Sequence, residues 1–168
     1  SNLEHPRDWF EPRVDGKVFL APKASGISAD FSTNYNRPLA FDYGFNLNWA
    51  DSNIQRTKGF FIKPIIRFND HLSATFNTEV AVTDKGIGFC TFDSLGEPVF
   101  GLRNVTSVTN TLTARYQFTR KLSLSFRGRH YWSKGSYSSY FGLEDDGNLS
   151  AYPLTASGGL PFNADFNT

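Results

Sequence analysis

Hydrophobic and polar residues alternate along most of the chain from residue 27 onwards. Alternation with a period of two predicts β-strands, because successive side chains of a strand point to opposite faces of its sheet. The runs come in pairs separated by very short turns, such as Asn69-Asp70-His71, so each pair predicts a hairpin. The predicted strands are residues 27–35, 39–49, 60–68, 72–82, 108–118 and 122–132.

The three hairpins predict an all-β fold, an antiparallel meander over residues 26–168 that follows an irregular N-terminal segment, residues 1–25. Longer polar connections are predicted at residues 50–59 and 83–107 and beyond Ser133. Strands of about nine to eleven residues are long enough to cross a bilayer at a tilt. Strands of soluble proteins average about five or six residues.

Charge is segregated between the two phases of these strands. The apolar phase of the six predicted strands carries no Asp, Glu, Lys or Arg. A Lys or Arg that faces lipid at the bilayer midplane costs about 2–4 kcal/mol, so a lipid-facing surface demands this segregation. The opposite phase is predicted to face a polar lumen, where its charges either select anionic solutes or pair with one another. The predicted lumen-facing charges are Asp30, Asp42, Lys63, Arg67, Glu79, Arg115, Arg127 and Arg129.

Aromatic residues mark the ends of the predicted strands. The chain has 17 Phe, 7 Tyr and 3 Trp, and such belts form at lipid–water interfaces. A soluble, lipocalin-like β-barrel that binds an apolar ligand would also alternate, with its apolar face turned inward. Strand length, connection length and aromatic placement favour the transmembrane barrel. The predicted aromatic girdle is Tyr35, Trp49, Phe60, Phe68, Tyr116, Phe118 and Trp132.

Three residues interrupt the apolar phase. Pro64 has no N–H to donate and predicts a bulge or a missing ladder bond. Asn110 and His130 are polar and are expected near an interface or at a local register slip.

Composition gives little support to other classes of function. The net charge of +1 offers no basis for binding nucleic acid, and no apolar run approaches the length of a transmembrane helix. Cys90 is the only cysteine, and the acidic run 144–148 lacks the spacing of an EF-hand. We therefore predict no catalytic residue, no metal site, no cofactor and no enzyme activity. Loop cations that could contact lipopolysaccharide phosphates, or simply be solvated, are Arg56, Lys58, Lys85 and Lys134.

Six strands are too few to close a membrane barrel, since known examples begin at eight. The chain starts at Ser1 without a methionine. We therefore expect a piece of a larger barrel, whose remaining strands would be partners of this segment together with outer-membrane lipid and lipopolysaccharide.

Several short motifs resemble a family of Bacteroidota outer-membrane proteins. They are Phe10-Glu11-Pro12-Arg13, Arg103-Asn104-Val105-Thr106, Asn110-Thr111-Leu112, Arg129-His130-Tyr131-Trp132-Ser133 and Leu143-Glu144-Asp145-Asp146-Gly147. In that family a domain similar to family 9 carbohydrate-binding modules precedes a large barrel of unknown function. The resemblance implies an outer-membrane location and a position in the middle of the barrel, and it carries over no catalytic residue.

These observations predict an outer-membrane β-barrel segment with a structural, transport or surface-anchoring role, linked to glycan handling through a preceding domain. Two alternatives stay open. One is the soluble barrel described above, and the other is an outer-membrane enzyme whose active site lies outside this segment.

Overall fold

The computed structural model describes residues 6–50, 55–152 and 161–168. These residues form an all-β structure, with 74% strand and no helix. Among them, no helix has the length and apolarity required to span a membrane.

Strands succeed one another throughout the described ranges. They are β1 (Arg7–Asp8), β2 (Phe19–Leu20), β3 (Ala24–Ser32), β4 (Leu39–Ala50), β5 (Arg56–Arg67), β6 (Leu72–Phe92), β7 (Pro98–Thr119), β8 (Leu122–Leu143), β9 (Leu149–Ala151) and β10 (Phe162–Asn167).

The main sheet is an antiparallel meander, as predicted. Strands β3 to β8 pair with their neighbours in chain order, and the sheet is curled like half a barrel. Strands β9 and β10 both pair with β8, on the edge that faces away from β7. Strands β1 and β2 form a separate two-stranded sheet. Strand β10 therefore continues the sheet beyond β8.

The long polar connection predicted for residues 83–107 is wrong. Strand β6 continues to Phe92, and β7 already begins at Pro98. Strand β8 likewise continues to Leu143, well beyond the predicted end at residue 132. Most of the residues predicted as long loops at this end are therefore parts of the strands. The expected alternation of short turns and long loops does not hold.

Local turn chemistry explains where these long strands end. In the β6–β7 turn the Asp93 carboxylate accepts hydrogen bonds from the N–H groups of Leu95 (2.8 Å) and Glu97 (2.9 Å). Gly96 adopts a φ of 82°, which an L-residue adopts only at a cost. The β8–β9 turn likewise contains a glycine with a positive φ, Gly147 at 86°.

At the opposite end, the first strand stops earlier than predicted. Strand β3 runs from Ala24 to Ser32 instead of over residues 27–35. The Asn34 side chain accepts a hydrogen bond from the N–H of Asn36 (2.9 Å), and this Asx turn ends the strand. Tyr35 therefore lies in the turn.

Pro64 breaks the β5–β6 ladder in the way expected for a residue that cannot donate. Pairing is interrupted between Ile62↔Thr78 and Ile65↔Thr75, and the register is the same on both sides of the gap. A missing bond, without a bulge, accommodates the proline.

The buried core lies in the extended part of β6–β8, where the N-terminal segment packs. Phe19 of β2 contacts Phe100 of β7 with ring centroids 4.8 Å apart, and Leu143 completes the cluster. Val99 and Phe100 are consecutive strand residues, and both are fully buried. Since their side chains point to opposite faces, the sheet is covered on both faces here.

Candidate functional site in the two faces of the sheet

One face of the sheet is a continuous apolar surface, which we call the outer face. Its register pairs apolar residues across six strands in a row, Ala29↔Phe45↔Phe60↔Val80↔Val108↔Trp132. The predicted apolar phases of all six strands therefore meet on a single face.

Large apolar side chains of the outer face are open to the surroundings. Exposure reaches 50% for Phe60, 58% for Phe126 and 62% for Leu124. An aromatic side chain carries about 150–250 Å² of surface, whereas soluble monomers rarely expose apolar patches beyond a few hundred Å². Further exposed members are Ile27, Phe31, Leu39, Tyr43, Phe45, Leu47, Trp49, Ile62, Phe76, Leu112 and Tyr116.

The predicted aromatic girdle divides between this face and a turn. Phe60 and Trp132 share the row described above, and Trp49 pairs with Arg56. Tyr116 and Phe118 contact each other edge to face, with centroids 4.7 Å apart, and Phe68 is 59% exposed beside the β5–β6 turn. Tyr35 is the exception.

Tyr35 points its hydroxyl toward the polar phase. The hydroxyl contacts the Asp42 carboxylate and lies 3.0 Å from Ser32 Oγ. The expectation that Tyr35 ends a strand on the apolar phase is therefore wrong, because the Asx turn has already ended β3.

The opposite face, the inner face, carries the eight charges singled out from the sequence. Along β4 and β5 it is the less exposed of the two faces, and Ala40 is 1% exposed. A Cβ at Gly44 would lie 2.2 Å from Asp30 Oδ1 and 2.6 Å from the Phe61 ring, so glycine alone allows these side chains to approach.

One ion pair joins two of the eight charges. Lys63 Nζ lies 3.1 Å from Asp42 Oδ2, across the β4–β5 pair. Arg67 donates to the Tyr35 carbonyl instead. The other five inner-face charges are not among the ion pairs found within the described residues, namely Asp30, Glu79, Arg115, Arg127 and Arg129.

A cavity of about 610 Å³ opens at the short-turn end of the sheet. Arg37, Arg67 and Arg115 line it together with Asp70 and His71. Three arginines against one carboxylate make this end of the sheet attractive to anions.

A chain of polar side chains crosses the outer face. Thr78 Oγ1 donates to Asn110 Oδ1 (2.9 Å), and Asn110 Nδ2 lies 3.4 Å from His130 Nδ1. His130 Nε2 lies 3.1 Å from Asp165 Oδ1 on β10. The two polar exceptions in the apolar phase thus satisfy each other and their neighbours, without a register slip at either residue.

Strand β10 reverses the phase of the other strands. Asp165 pairs with Trp132 and so lies on the outer face, while Phe166 pairs with Tyr131 and lies on the inner face. The segregation of charge seen in the six predicted strands does not extend to β10.

The greater length of β5 and β8 also places cations on the outer face. Arg56 and Lys58 keep the phase of Phe60, and Lys134 keeps the phase of Trp132. These residues were assigned to loops from the sequence, whereas the structure places them in strands, directly beyond the apolar band.

The N-terminal segment is tied to the hairpin tips by charge. Lys17 contacts Glu97 in the β6–β7 turn and lies 3.6 Å from Asp145 in the β8–β9 turn. The hydrogen bond to Glu97 is the main reason that the pKa of Lys17 is raised. Glu11 accepts a hydrogen bond from the N–H of Phe89 (2.8 Å) and lies 4.0 Å from Arg103.

Two features have residue types suited to catalysis or metal binding, namely the Cys90 thiol and the acidic run 144–148, and the contacts of both are accounted for by the fold. Burial raises the pKa of the Cys90 thiol, so the thiol stays protonated at neutral pH and is a weak nucleophile. In the acidic run, Asn148 donates to Asp146 from its backbone (2.9 Å) and its amide (2.8 Å), which lowers the pKa of that carboxyl. Within the described ranges, no cluster of three or more His, Cys, Asp or Glu residues is placed to hold a metal.

A family model, Domain of unknown function (DUF5916), matches the whole chain, residues 1–168. The chain belongs to the DUF5916 family. No curated protein and no solved structure matches it. Membership agrees with the resemblance to a family whose function is unknown.

The outer-face cations of this DUF5916 chain are the site residues that sequence reasoning misplaced. The sequence does contain a signal for their position in strands. Arg56 and Lys58 precede Phe60, and Lys134 follows Trp132, in steps of two residues. Asp165 was not singled out because a run as short as 162–167 gives little periodic signal.

Proposed function

We propose that this chain is a segment of an outer-membrane β-barrel with a structural, transport or surface-anchoring role and no catalysis of its own. The observation that supports the proposal best is the outer face: its apolar side chains are exposed, while the polar and charged phase is the less exposed one along β4 and β5. Membrane barrels have this polarity, with lipid outside and a polar interior.

A soluble, lipocalin-like barrel would require the reverse arrangement. Its apolar phase would line the interior, and its charges would face water. Here Asp42 and Lys63 lie on the more enclosed face, whereas Phe60 and Leu124 are exposed. The exposure of the two faces in β4 and β5 therefore favours the membrane barrel over the soluble alternative.

The proposed membrane location requires a pairing partner for each edge of the sheet. Strands β3 and β10 are the terminal strands of the described sheet. In hydrocarbon, unpaired backbone groups cost several kcal/mol each, so both edges must pair with further strands of the same barrel.

The biological setting is proposed from the resemblance. In a Bacteroidota outer membrane, a barrel joined to a carbohydrate-binding domain would hold that domain at the membrane and connect it to glycan handling. The three arginines at the short-turn cavity are suited to anionic solutes if the interior conducts.

Fractionation of cells that produce the complete barrel protein containing this segment tests the membrane location. We expect the protein in the outer-membrane fraction, resistant to washing with alkaline carbonate and extracted only by detergent. A porin and a periplasmic binding protein, processed in parallel, mark the two extremes. Recovery of the folded chain in buffer without detergent would contradict the proposal and favour the soluble barrel.

A further inference from the structure

We propose that the outer face carries a binding site for the phosphate of an anionic lipid headgroup, formed by Trp49, Arg56 and Lys58. The inference rests on the proposed membrane location of the sheet. It specifies which groups at the rim of the apolar face meet lipid, and which headgroup chemistry they select.

The geometry of the β4–β5 pair carries the inference. Trp49 pairs with Arg56, and Leu47 pairs with Lys58, so two cations and two apolar side chains form one outward-facing patch. The patch borders a groove of about 340 Å³. Arg56 and Lys58 are both exposed. An anion in the groove could therefore meet two cations and an aromatic ring at once.

The patch lies at the boundary of the apolar band. Its next neighbours on the same face, toward the short turns, are Phe45 and Phe60, which pair with each other. Long cationic side chains at such a boundary lay their methylene stems on the apolar surface and hold the charge at headgroup level. Phosphate is the group found at that level in a lipid leaflet.

Strand β8 repeats the arrangement at the far side of the sheet. Lys134 follows Trp132 by two residues and so points to the same face. The register connects Lys58 to Lys134 through Val82 and Thr106, so the two lysines belong to one cross-strand row. The cations thus follow the rim of the apolar face.

Nearby carboxylates do not neutralise this rim in the described part of the chain. Asp84 is the register partner of Arg56. However, the ion pairs found within 4.0 Å there include none with Arg56, Lys58 or Lys134.

A lipid is favoured over a soluble anion because the cations adjoin an exposed apolar surface. An acidic peptide or free phosphate would engage Arg56 and Lys58 and leave Phe45 and Phe60 uncovered. A lipid covers both, with its headgroup on the cations and its acyl chains on the rings.

Quenching of Trp49 fluorescence by brominated lipids tests the site directly. The complete barrel protein that contains this segment, with every tryptophan except Trp49 replaced by Phe, is inserted into neutral phosphatidylcholine vesicles. Increasing fractions of phosphatidylglycerol or phosphatidylcholine with brominated acyl chains are then added. Each cation near the surface is expected to strengthen binding of an anionic headgroup about fivefold. The anionic quencher should therefore act at a roughly twenty- to thirtyfold lower mole fraction than the neutral one.

The double variant Arg56→Gln/Lys58→Gln should abolish this preference, and Arg56→Lys/Lys58→Arg should retain it. Arg127→Gln/Arg129→Gln, which removes two charges from the inner face, is the matched control and should also retain it. Inorganic phosphate added to the buffer should not compete. Equal quenching by both lipids, or competition by free phosphate, would overturn the headgroup site while leaving the barrel intact. Absence of quenching by either lipid would instead refute the membrane location.

Discussion

Val108 and Thr109 are consecutive residues of β7 with opposite surroundings. Val108 pairs with Val80 and Trp132 on the outer face, whereas Thr109 pairs with Glu79 and Tyr131 on the inner face. In the proposed membrane location, these two positions differ in solvent: one meets hydrocarbon and the other a polar interior.

A charge should therefore be costly at one position and tolerated at the next. We expect Val108→Arg to lower the free energy of unfolding of the complete barrel protein in vesicles by about 2–4 kcal/mol. Thr109→Arg, the matched control, should change it by no more than about 0.5 kcal/mol. Urea titration followed by tryptophan fluorescence measures both. Equal effects of the two variants would argue against lipid on the outer face.

At the residue scale, the sequence predicts which face of the sheet a side chain occupies, because alternation along a strand is a local property. A period of two fixes which residues share a face, so the apolar phase through Phe45, Phe60 and Val108 could be predicted before any register was known. Tyr35 could not be placed in the same way, since β3 already ends at Ser32 and Tyr35 lies in the Asx turn of Asn34.

Among the elements, β6–β8 show the limit of periodicity. Register shifts at Thr83/Gly86 and Phe89/Thr91 break the period of two in β6, and another shift at Leu102/Arg103 breaks it between β7 and β8. Bulges add a residue to one strand, so a strand that contains them no longer alternates. The pairing that keeps residues 83–92 and 98–107 extended is long-range and leaves only weak local signals.

The attachment of β10 depends on a side-chain contact as well as on its ladder. The Asp165 carboxylate meets His130, which continues the polar chain to Asn110 and Thr78. Removing one member leaves a polar neighbour unsatisfied on an apolar face, which costs about 1–3 kcal/mol.

We expect Asp165→Ala to loosen β10 selectively. Hydrogen exchange of the Arg129 and Thr168 amides, which bond to each other's carbonyls, should accelerate roughly fivefold or more. Asn163→Ala, on the same face of β10, is the control and should leave the rates near the wild-type values. Unchanged protection in Asp165→Ala would show that the backbone ladder alone holds the strand.

On the scale of the whole molecule, Lys17 connects three parts of the chain. It joins the N-terminal segment to both hairpin tips through Glu97 and Asp145. Because its pKa is raised above the ordinary value of 10.5, this contribution to stability is complete at neutral pH. The contribution is lost only as the pH rises through the raised pKa, when the ammonium loses its proton.

Lys17→Gln should free the N-terminal segment without unfolding the sheet. We expect chymotrypsin to cleave at Trp9 and Phe10 several times faster in this variant, while the sheet signal in circular dichroism stays the same. Lys23→Gln, in the same segment, serves as the control. Wild-type cleavage should not vary between pH 7 and pH 9, once corrected for protease activity. A Lys17→Gln cleavage rate equal to that of Lys23→Gln would contradict this role of Lys17.

The length of the β6–β7 hairpin determines how far its turn would extend from the proposed membrane. About ten residues of β6 follow Val82, and at about 3.3 Å per residue they span some 33 Å along the strand. With a barrel tilt of about 35–45°, the Asp93–Glu97 turn would stand roughly 25 Å above the headgroups. In the proposed outer-membrane setting, with this end of the hairpin facing outward, the turn would rise into the sugar layer that coats the cell. Neighbouring molecules, antibodies and phages would therefore meet this tip before they meet the barrel wall.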